Sequence, residues 1–261
     1  MKQSKKNLCV FGHAIDIPAR ETHHRHMHNE YEILLFMRGS AQYRIESTTY
    51  NLIPGDLLFI RPRTFHYLIP QDNTEYERCV VQFSKDAIPD ELQGLADTAA
   101  EIRNLPKGNP LRRAFDRVQE AQTFVTKAEL TLLTRNLIIE VLIALKYAPA
   151  DPVSRPMRRN DALADILRYI DEHPSEPLRA QALSDRFFVS RSWLEHVFRD
   201  QLGITVRQYV SKKRILYAQE LIKNGLSPTL ASEHCHYDNY ATFYRNYKKI
   251  LQCSPEEDAR R

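Results

Sequence analysis

Two periods of apolar residues divide this chain. Residues 8–85 are patterned as β. Tyr31 to Met37 is a nearly continuous apolar run, broken by Arg38-Gly39-Ser40. Ala41 to Glu46 then alternates, with Tyr43 and Ile45 on one face and Arg44 and Glu46 on the other. Pro54-Gly55-Asp56 is a turn signal, Leu57 to Ile60 a short buried strand, and Arg61 to Thr64 a second turn. Phe65 to Ile69 and Tyr76 to Phe83 complete the series. Strands this short, with turns roughly every ten residues, predict a sandwich or small barrel.

From Leu111 the period becomes helical. Leu111, Phe115 and Val118 mark one helix; Leu130, Leu133, Leu137, Val141 and Leu145 mark a stronger one. Ile138, Leu142 and Ile143 make the second helix apolar on more than one side, so it has two faces to bury. One face belongs against the β domain. The other either meets the same helix of a second subunit, giving a homodimer, or lies in the internal core. Pro149, Pro152 and Pro156, with Arg155, Arg158 and Arg159, then prevent a continuous helix and keep the segment solvated. The expected division is therefore residues 1–147 as a β-rich domain whose following helices offer a dimerisation face, 148–160 as a linker, and 161–261 as an all-α domain.

The last hundred residues alternate helices with capping signals. Leu163, Ile166, Leu167 and Ile170 form an amphipathic helix that stops near Pro174. Leu178 to Phe187 is the next helix, Phe188-Val189 a turn, and Ser190 an N-cap for a helix running toward Gly203, a residue suited to positive φ. Val206 to Lys223 is a long helix. Ser227-Pro228 is a cap followed by a first-turn proline, and Asn239 caps a last long helix that ends near Gln252.

This arrangement is two helix-turn-helix units joined by one helix. In each, the second helix needs an apolar core face and a polar outer face that enters the DNA major groove. In the first unit Leu194, Val197 and Phe198 form the core face and leave Ser192, Glu195, His196 and Arg199 outside, with Trp193 partly in the core. In the second, Phe243 and Tyr247 face inward. Tyr240, Ala241, Thr242 and Arg245 then face the groove, and Lys248 and Lys249 reach phosphates. The linking helix spans roughly 27 Å, and with its flanking turns sets the two recognition helices near one DNA turn apart, about 34 Å.

Composition narrows the setting without naming the partner. The formal net charge of +4 over 261 residues is compatible with nucleic acid but does not require it, so any basic surface comes from local arrangement. Cys9, Cys79, Cys235 and Cys253 are far apart, form no C-x-x-C pair and predict reduced thiols in the cytoplasm. The N-terminal region lacks the apolar run of a signal peptide, and the most apolar helical stretch is too short and too polar to span a membrane.

From Ile166 to Pro255 the chain resembles the DNA-binding domain of the AraC/XylS family of bacterial transcription regulators. The likeness is carried by His236-Tyr237-Asp238-Asn239, Phe243, Arg245, Tyr247-Lys248-Lys249 and Ser254-Pro255, and by Val189-Ser190, Leu194, Phe198 and Gly203. Tyr209, Arg214-Ile215, Ala218 and Leu221-Ile222 lie between these groups. Three positions depart from the family pattern: Phe188, His236 and Gln252 stand where glycine is usual. The resemblance implies base-reading roles for Ser192, Glu195 and His196, and for Tyr240, Ala241, Thr242 and Arg245. It also implies an α+β multidomain chain, with an N-terminal cupin-like β-barrel followed by helices and a C-terminal all-α double helix-turn-helix domain. The implied function is activation or repression of genes at a double-stranded DNA operator, switched by a small-molecule effector, of which sugars are common examples. RNA polymerase is the further partner of an activator.

One cluster carries separate chemistry. His26, His28, Glu32 and Gly39 follow the spacing of the first cupin metal motif, and His66 lies where a second-motif histidine completes a site. Period two puts His26 and His28 on one face of a strand. Imidazoles with a carboxylate suit Zn²⁺, Ni²⁺, Mn²⁺ or Fe²⁺. The same groups suit a polar ligand without metal, or a structural hydrogen-bond network. Tyr43 and Arg44 are further pocket candidates. Two alternatives follow: a cupin metalloenzyme tethered to a helical domain, and a sensor whose effector is the metal itself.

Overall fold

The computed structural model describes residues 8–17, 25–99, 102–147 and 156–260. The chain forms two compact units, one running to Arg158 and the other beginning at Arg159. His23, His24, Pro149, Pro152 and Arg155 lie outside the described residues.

The first unit is built on two sheets. One has the order β1 (Cys9–Asp16), β7 (Tyr76–Phe83), β2 (Tyr31–Arg38), β5 (Asp56–Ile60), β8 (Ile102–Asn104). The other has the order β6 (His66–Pro70), β3 (Ala41–Ile45), β4 (Thr48–Asn51), β9 (Pro156–Arg159). Leu34, Phe36, Leu58 and Ile60 of the first sheet share a core with Ala41, Tyr43, Ile45 and Leu68 of the second. The expected barrel is thus two facing sheets.

The opposite face of the first sheet is covered by α1 (Asp90–Thr98), α2 (Pro110–Ala121) and α3 (Lys127–Tyr147). Ile33, Leu35, Phe59, Val81 and Phe83 pack there with Phe115, Leu137, Ile138, Val141 and Leu142. A sheet buried on both faces needs unbroken apolar strands, which explains the run in β2, where Ile33 to Phe36 are all buried. β3 has only one buried face and alternates, with Tyr43 and Ile45 buried.

Gly39 makes the turn from β2 to β3 at φ +116°, where a Cβ would stand 2.5 Å from the Cβ of Tyr76. Both the backbone conformation and the close approach call for glycine.

The elements not foreseen individually include β1, β4, α1, β8, β9 and the final short helix. Of these, β9 falls inside the stretch expected to be linker, and backbone pairing beside β4 accounts for it. Such pairing leaves little trace in a segment of proline and arginine.

The second unit is helical: α4 (Asp161–Glu172), α5 (Ala180–Arg186), α6 (Arg191–Val197), α7 (Val206–Lys223), α8 (Pro228–His234), α9 (Tyr240–Leu251) and α10 (Pro255–Ala259). α6 continues as a π-turn, Phe198–Leu202, that ends on Gly203 at φ +70°. Except for α5, the helices of this unit start on side-chain oxygens: Asn160, Ser190, Thr205, Ser227, Asn239 and Ser254 each accept from a backbone N–H of the first turn. Ser254, expected only as part of a motif, opens α10 through a capping box with Glu257.

Candidate DNA interface and sensor site

α5 and α6 form the first helix-turn-helix, and α8 and α9 the second. α6 buries Leu194 and Val197 and leaves Ser192, His196 and Arg199 exposed, with Glu195 and Trp193 half-buried. α9 buries Phe243 and Tyr247 and exposes Ala241, Arg245, Lys248 and Lys249, with Thr242 half-buried. Arg245 donates from Nη2 to Thr242 Oγ1 at 3.2 Å, which steadies a guanidinium otherwise turned to solvent. Tyr240 is placed differently from its neighbours. It is half-buried, its ring lies 5.6 Å from that of Phe243, and its hydroxyl donates to Glu256 of α10.

Two residues that position α9 carry no DNA-reading signal of their own. Arg214, on the linking helix α7, donates from Nε to the Cys235 carbonyl at 3.2 Å and from Nη2 to the His236 carbonyl at 2.9 Å. Its guanidinium lies 4.2 Å above the Tyr237 ring. These carbonyls end α8, so a cation sits at the negative end of that helix and holds the turn leading into α9. Asp258, buried on α10, accepts from Gln219 of α7 at 2.7 Å and from Tyr247 of α9 at 2.8 Å. Burial pushes its pKa up, but the hydrogen bonds from Gln219, Tyr247 and Cys253 outweigh that and hold it below the usual carboxylate range. A single carboxylate therefore joins three helices. Asp258 is invisible to pattern reasoning, because an acidic residue in an acidic run looks like solvated surface.

Phe188, His236 and Gln252 adopt φ of +53°, +52° and +58°. These are the three positions at which glycine was expected. The left-handed turns are kept even though the residues carry side chains.

In the first unit, His26, His28, Glu32 and His66 converge. Each offers one ligand atom, and these atoms lie within 4.8 Å of one another. The route differs from the expected strand. His26 and His28 lie in an irregular segment ahead of β2, held by a bridge in which the His26 and His66 backbones exchange hydrogen bonds of 3.3 and 2.9 Å, and by the Arg63 N–H, which donates to the His28 carbonyl at 2.6 Å. Glu32 comes from β2 and is buried; His66 opens β6 and is 0% exposed. His28 Nε2 is 3.3 Å and His66 Nε2 3.7 Å from Glu32 Oε2, and Gln82 donates to the same oxygen at 3.0 Å. Burial acts to raise the Glu32 pKa, but His28, His66 and Gln82 keep it well below the ordinary range, so the group is a carboxylate.

Tyr43 joins the cluster, its hydroxyl 3.5 Å from Glu32 Oε1. Arg44 does not. It occupies the other face of β3 and donates from Nε to Thr49 at 2.9 Å, as strand alternation requires. Gln82, which orients the carboxylate, was not a candidate, because its partner is fifty residues away in sequence.

A β-sheet sensor followed by two helix-turn-helix units defines a ligand-responsive, DNA-binding transcription regulator. Residues 10–142 match the AraC-like ligand binding domain and residues 183–261 a helix-turn-helix domain, and the chain belongs to the AraC family. It is 23% identical over 210 residues to the HTH-type transcriptional regulator YbfI of Bacillus subtilis, covering 78% of this chain and 74% of that protein. It is 21% identical over 246 residues to the HTH-type transcriptional activator RhaS of Escherichia fergusonii, covering 89% and 86%. Among solved structures it is similar to apo ToxT K231A from Vibrio cholerae, at 13% identity and a TM-score of 0.42, covering 95% of this chain and 96% of that one. No helix among the described residues is long and apolar enough to cross a membrane.

Proposed function

We propose that this regulator reads two successive major-groove segments of one operator with α6 and α9. Its sensor unit recognises a small polar effector at the His26–His28–Glu32–His66 cluster. The observation that carries the DNA reading is the placement of two side-chain-capped recognition helices beyond opposite ends of one 18-residue helix. That helix is roughly 27 Å long, which with its turns matches one helical repeat of DNA. Ser192, Glu195, His196 and Arg199 serve one segment; Ala241, Thr242 and Arg245 serve the other, with Lys248 on phosphate. Tyr240 contributes by bracing α9 against α10. The protein acts in the cytoplasm on gene expression and not as an enzyme.

It acts as a homodimer through α3. Leu132, Leu133 and Ile143 are exposed on that helix, on the side away from Leu137, Ile138, Val141 and Leu142 in the core. An effector switches such a protein only by binding one of its states more tightly than the other.

The test is an operator selected in vitro from random DNA with the full-length protein. Arg245→Ala weakens binding to that site by about 1–3 kcal/mol and relaxes specificity at the bases under α9 alone. Unchanged affinity and unchanged base preference would remove Arg245 from the interface.

A further inference from the structure

We infer that His26, His28, Glu32 and His66 hold a divalent transition-metal ion, which staples the two sheets of the sensor unit together. The inference rests on reading this cluster as the sensor's binding site, and gives that site an ion to which a polar effector can coordinate.

The first ground is the direction of the imidazole hydrogens. His66 Nδ1 lies 2.8 Å from the Thr64 carbonyl, and His28 Nδ1 lies 3.0 Å from the Glu30 carbonyl. A carbonyl only accepts, so both Nδ1 atoms carry hydrogen and donate. Both Nε2 atoms face the Glu32 carboxylate: His28 Nε2 hydrogen-bonds it at 3.3 Å, and His66 Nε2 stands 3.7 Å away. With its Nδ1–H committed to the Thr64 carbonyl, the neutral His66 ring aims an Nε2 lone pair at the carboxylate, an arrangement that a cation between the two satisfies. His66 Nε2 is buried and makes no hydrogen bond. Backbone carbonyls that fix Nδ1–H and present Nε2 are also the usual outer support of metal-ligating histidines.

The second ground is the donor set and its spacing. Three imidazoles and one carboxylate form a borderline N/O set that suits first-row divalent ions. Bonds of about 2.0–2.2 Å require ligand atoms roughly 3–3.4 Å apart. The His28–Glu32 and His66–Glu32 separations, 3.3 and 3.7 Å, are near that range already. His26 is exposed, which gives the ion a path of entry. Gln82 fixes the carboxylate through the oxygen that the histidines face, and Tyr43 through the other.

The third ground is where the ligands come from. Glu32 belongs to the sheet of β2, His66 to the sheet of β6, and His26 and His28 to the segment entering β2. One ion therefore ties three separate pieces of backbone.

The experiment uses the full chain, stripped with chelator, loaded separately with Zn²⁺, Ni²⁺, Co²⁺, Mn²⁺ or, without oxygen, Fe²⁺, and then desalted. Elemental mass spectrometry is expected to find about one retained ion per chain for at least one metal, with a higher melting temperature for the loaded protein. His26→Ala and His28→Gln, checked for folding by circular dichroism, are each expected to lose at least tenfold in affinity for that ion. Retention of no ion from any of the five, or equal retention in both variants, overturns the metal site. Specific DNA binding is measured on the same samples. If it persists in protein that retains no ion, only the metal fails; if metal-loaded protein shows no specific DNA binding, the regulator reading fails and the metal site stands.

Discussion

Replacing Phe188 with glycine should stabilise the helical unit. Phe188 sits in the turn between α5 and α6 at φ +53°, and it is 95% exposed. An L-residue in the left-handed region costs about 1–2 kcal/mol through the approach of its Cβ to the following carbonyl. Glycine removes that clash but adds about 0.5–1 kcal/mol of unfolded-state entropy. Because the ring is almost wholly in solvent, its loss removes little burial, and the net gain is about 1 kcal/mol. His236 and Gln252 are also exposed and left-handed, and their turns are separate. The triple glycine variant should therefore gain roughly 2–3 kcal/mol by near-additivity. The chain has one tryptophan, Trp193, on α6 close to the first turn, so its fluorescence reports this unit in urea. With a slope of about 1–3 kcal/mol/M, Phe188→Gly moves the midpoint up by roughly 0.3–1 M. Ala182→Gly, on the exposed face of α5, is the control and should lose about 1 kcal/mol. A midpoint that stays put or falls in Phe188→Gly would show that the turn is not strained by its side chain.

Asp258→Asn should destabilise the helical unit by about 1–3 kcal/mol at neutral pH, since one buried oxygen accepts from Gln219, Tyr247 and Cys253. Its folded pKa lies below the unfolded value, so the ionised group's contribution is full above about pH 4 and is lost as pH falls through the folded pKa. The gap between wild type and variant should accordingly narrow in acid; a gap independent of pH would mean that the charge is not what holds α10. Ile143→Glu, on the exposed side of α3, should shift the protein from dimer to monomer in sedimentation equilibrium. A dimer as tight as wild type would place the subunit contact elsewhere.

Most of the helical unit was legible from residue order alone, because its determinants are local. Ser190, Ser227 and Asn239 announce helix starts by side-chain chemistry that acts within three residues, and Gly203 announces an end. The 3.6-residue period separates Phe243 and Tyr247 from Ala241 and Arg245 without any knowledge of the partner helix. β2, β3 and β7 were equally plain, since apolar runs and alternation follow from two-sided and one-sided burial. The spacing of His26, His28 and Glu32 was visible too.

What residue order could not supply is whatever depends on distant segments meeting. β8 and β9 are strands only because an edge accepts them, and neither has an apolar pattern to betray it. Gln82 reaches Glu32, Arg214 reaches the carbonyls of Cys235 and His236, and Asp258 gathers three helices, each through a contact formed only after chain reversal. Alternation put Tyr43 and Arg44 on opposite faces of β3, and the packing of the sheet decided that only the Tyr43 face meets Glu32. Local chemistry thus determined the elements, the faces of the recognition helices and the candidate ligands. Tertiary structure decided which of those ligands face one another, because hydrogen bonding and charge act over a few ångströms of space, whatever the separation along the chain.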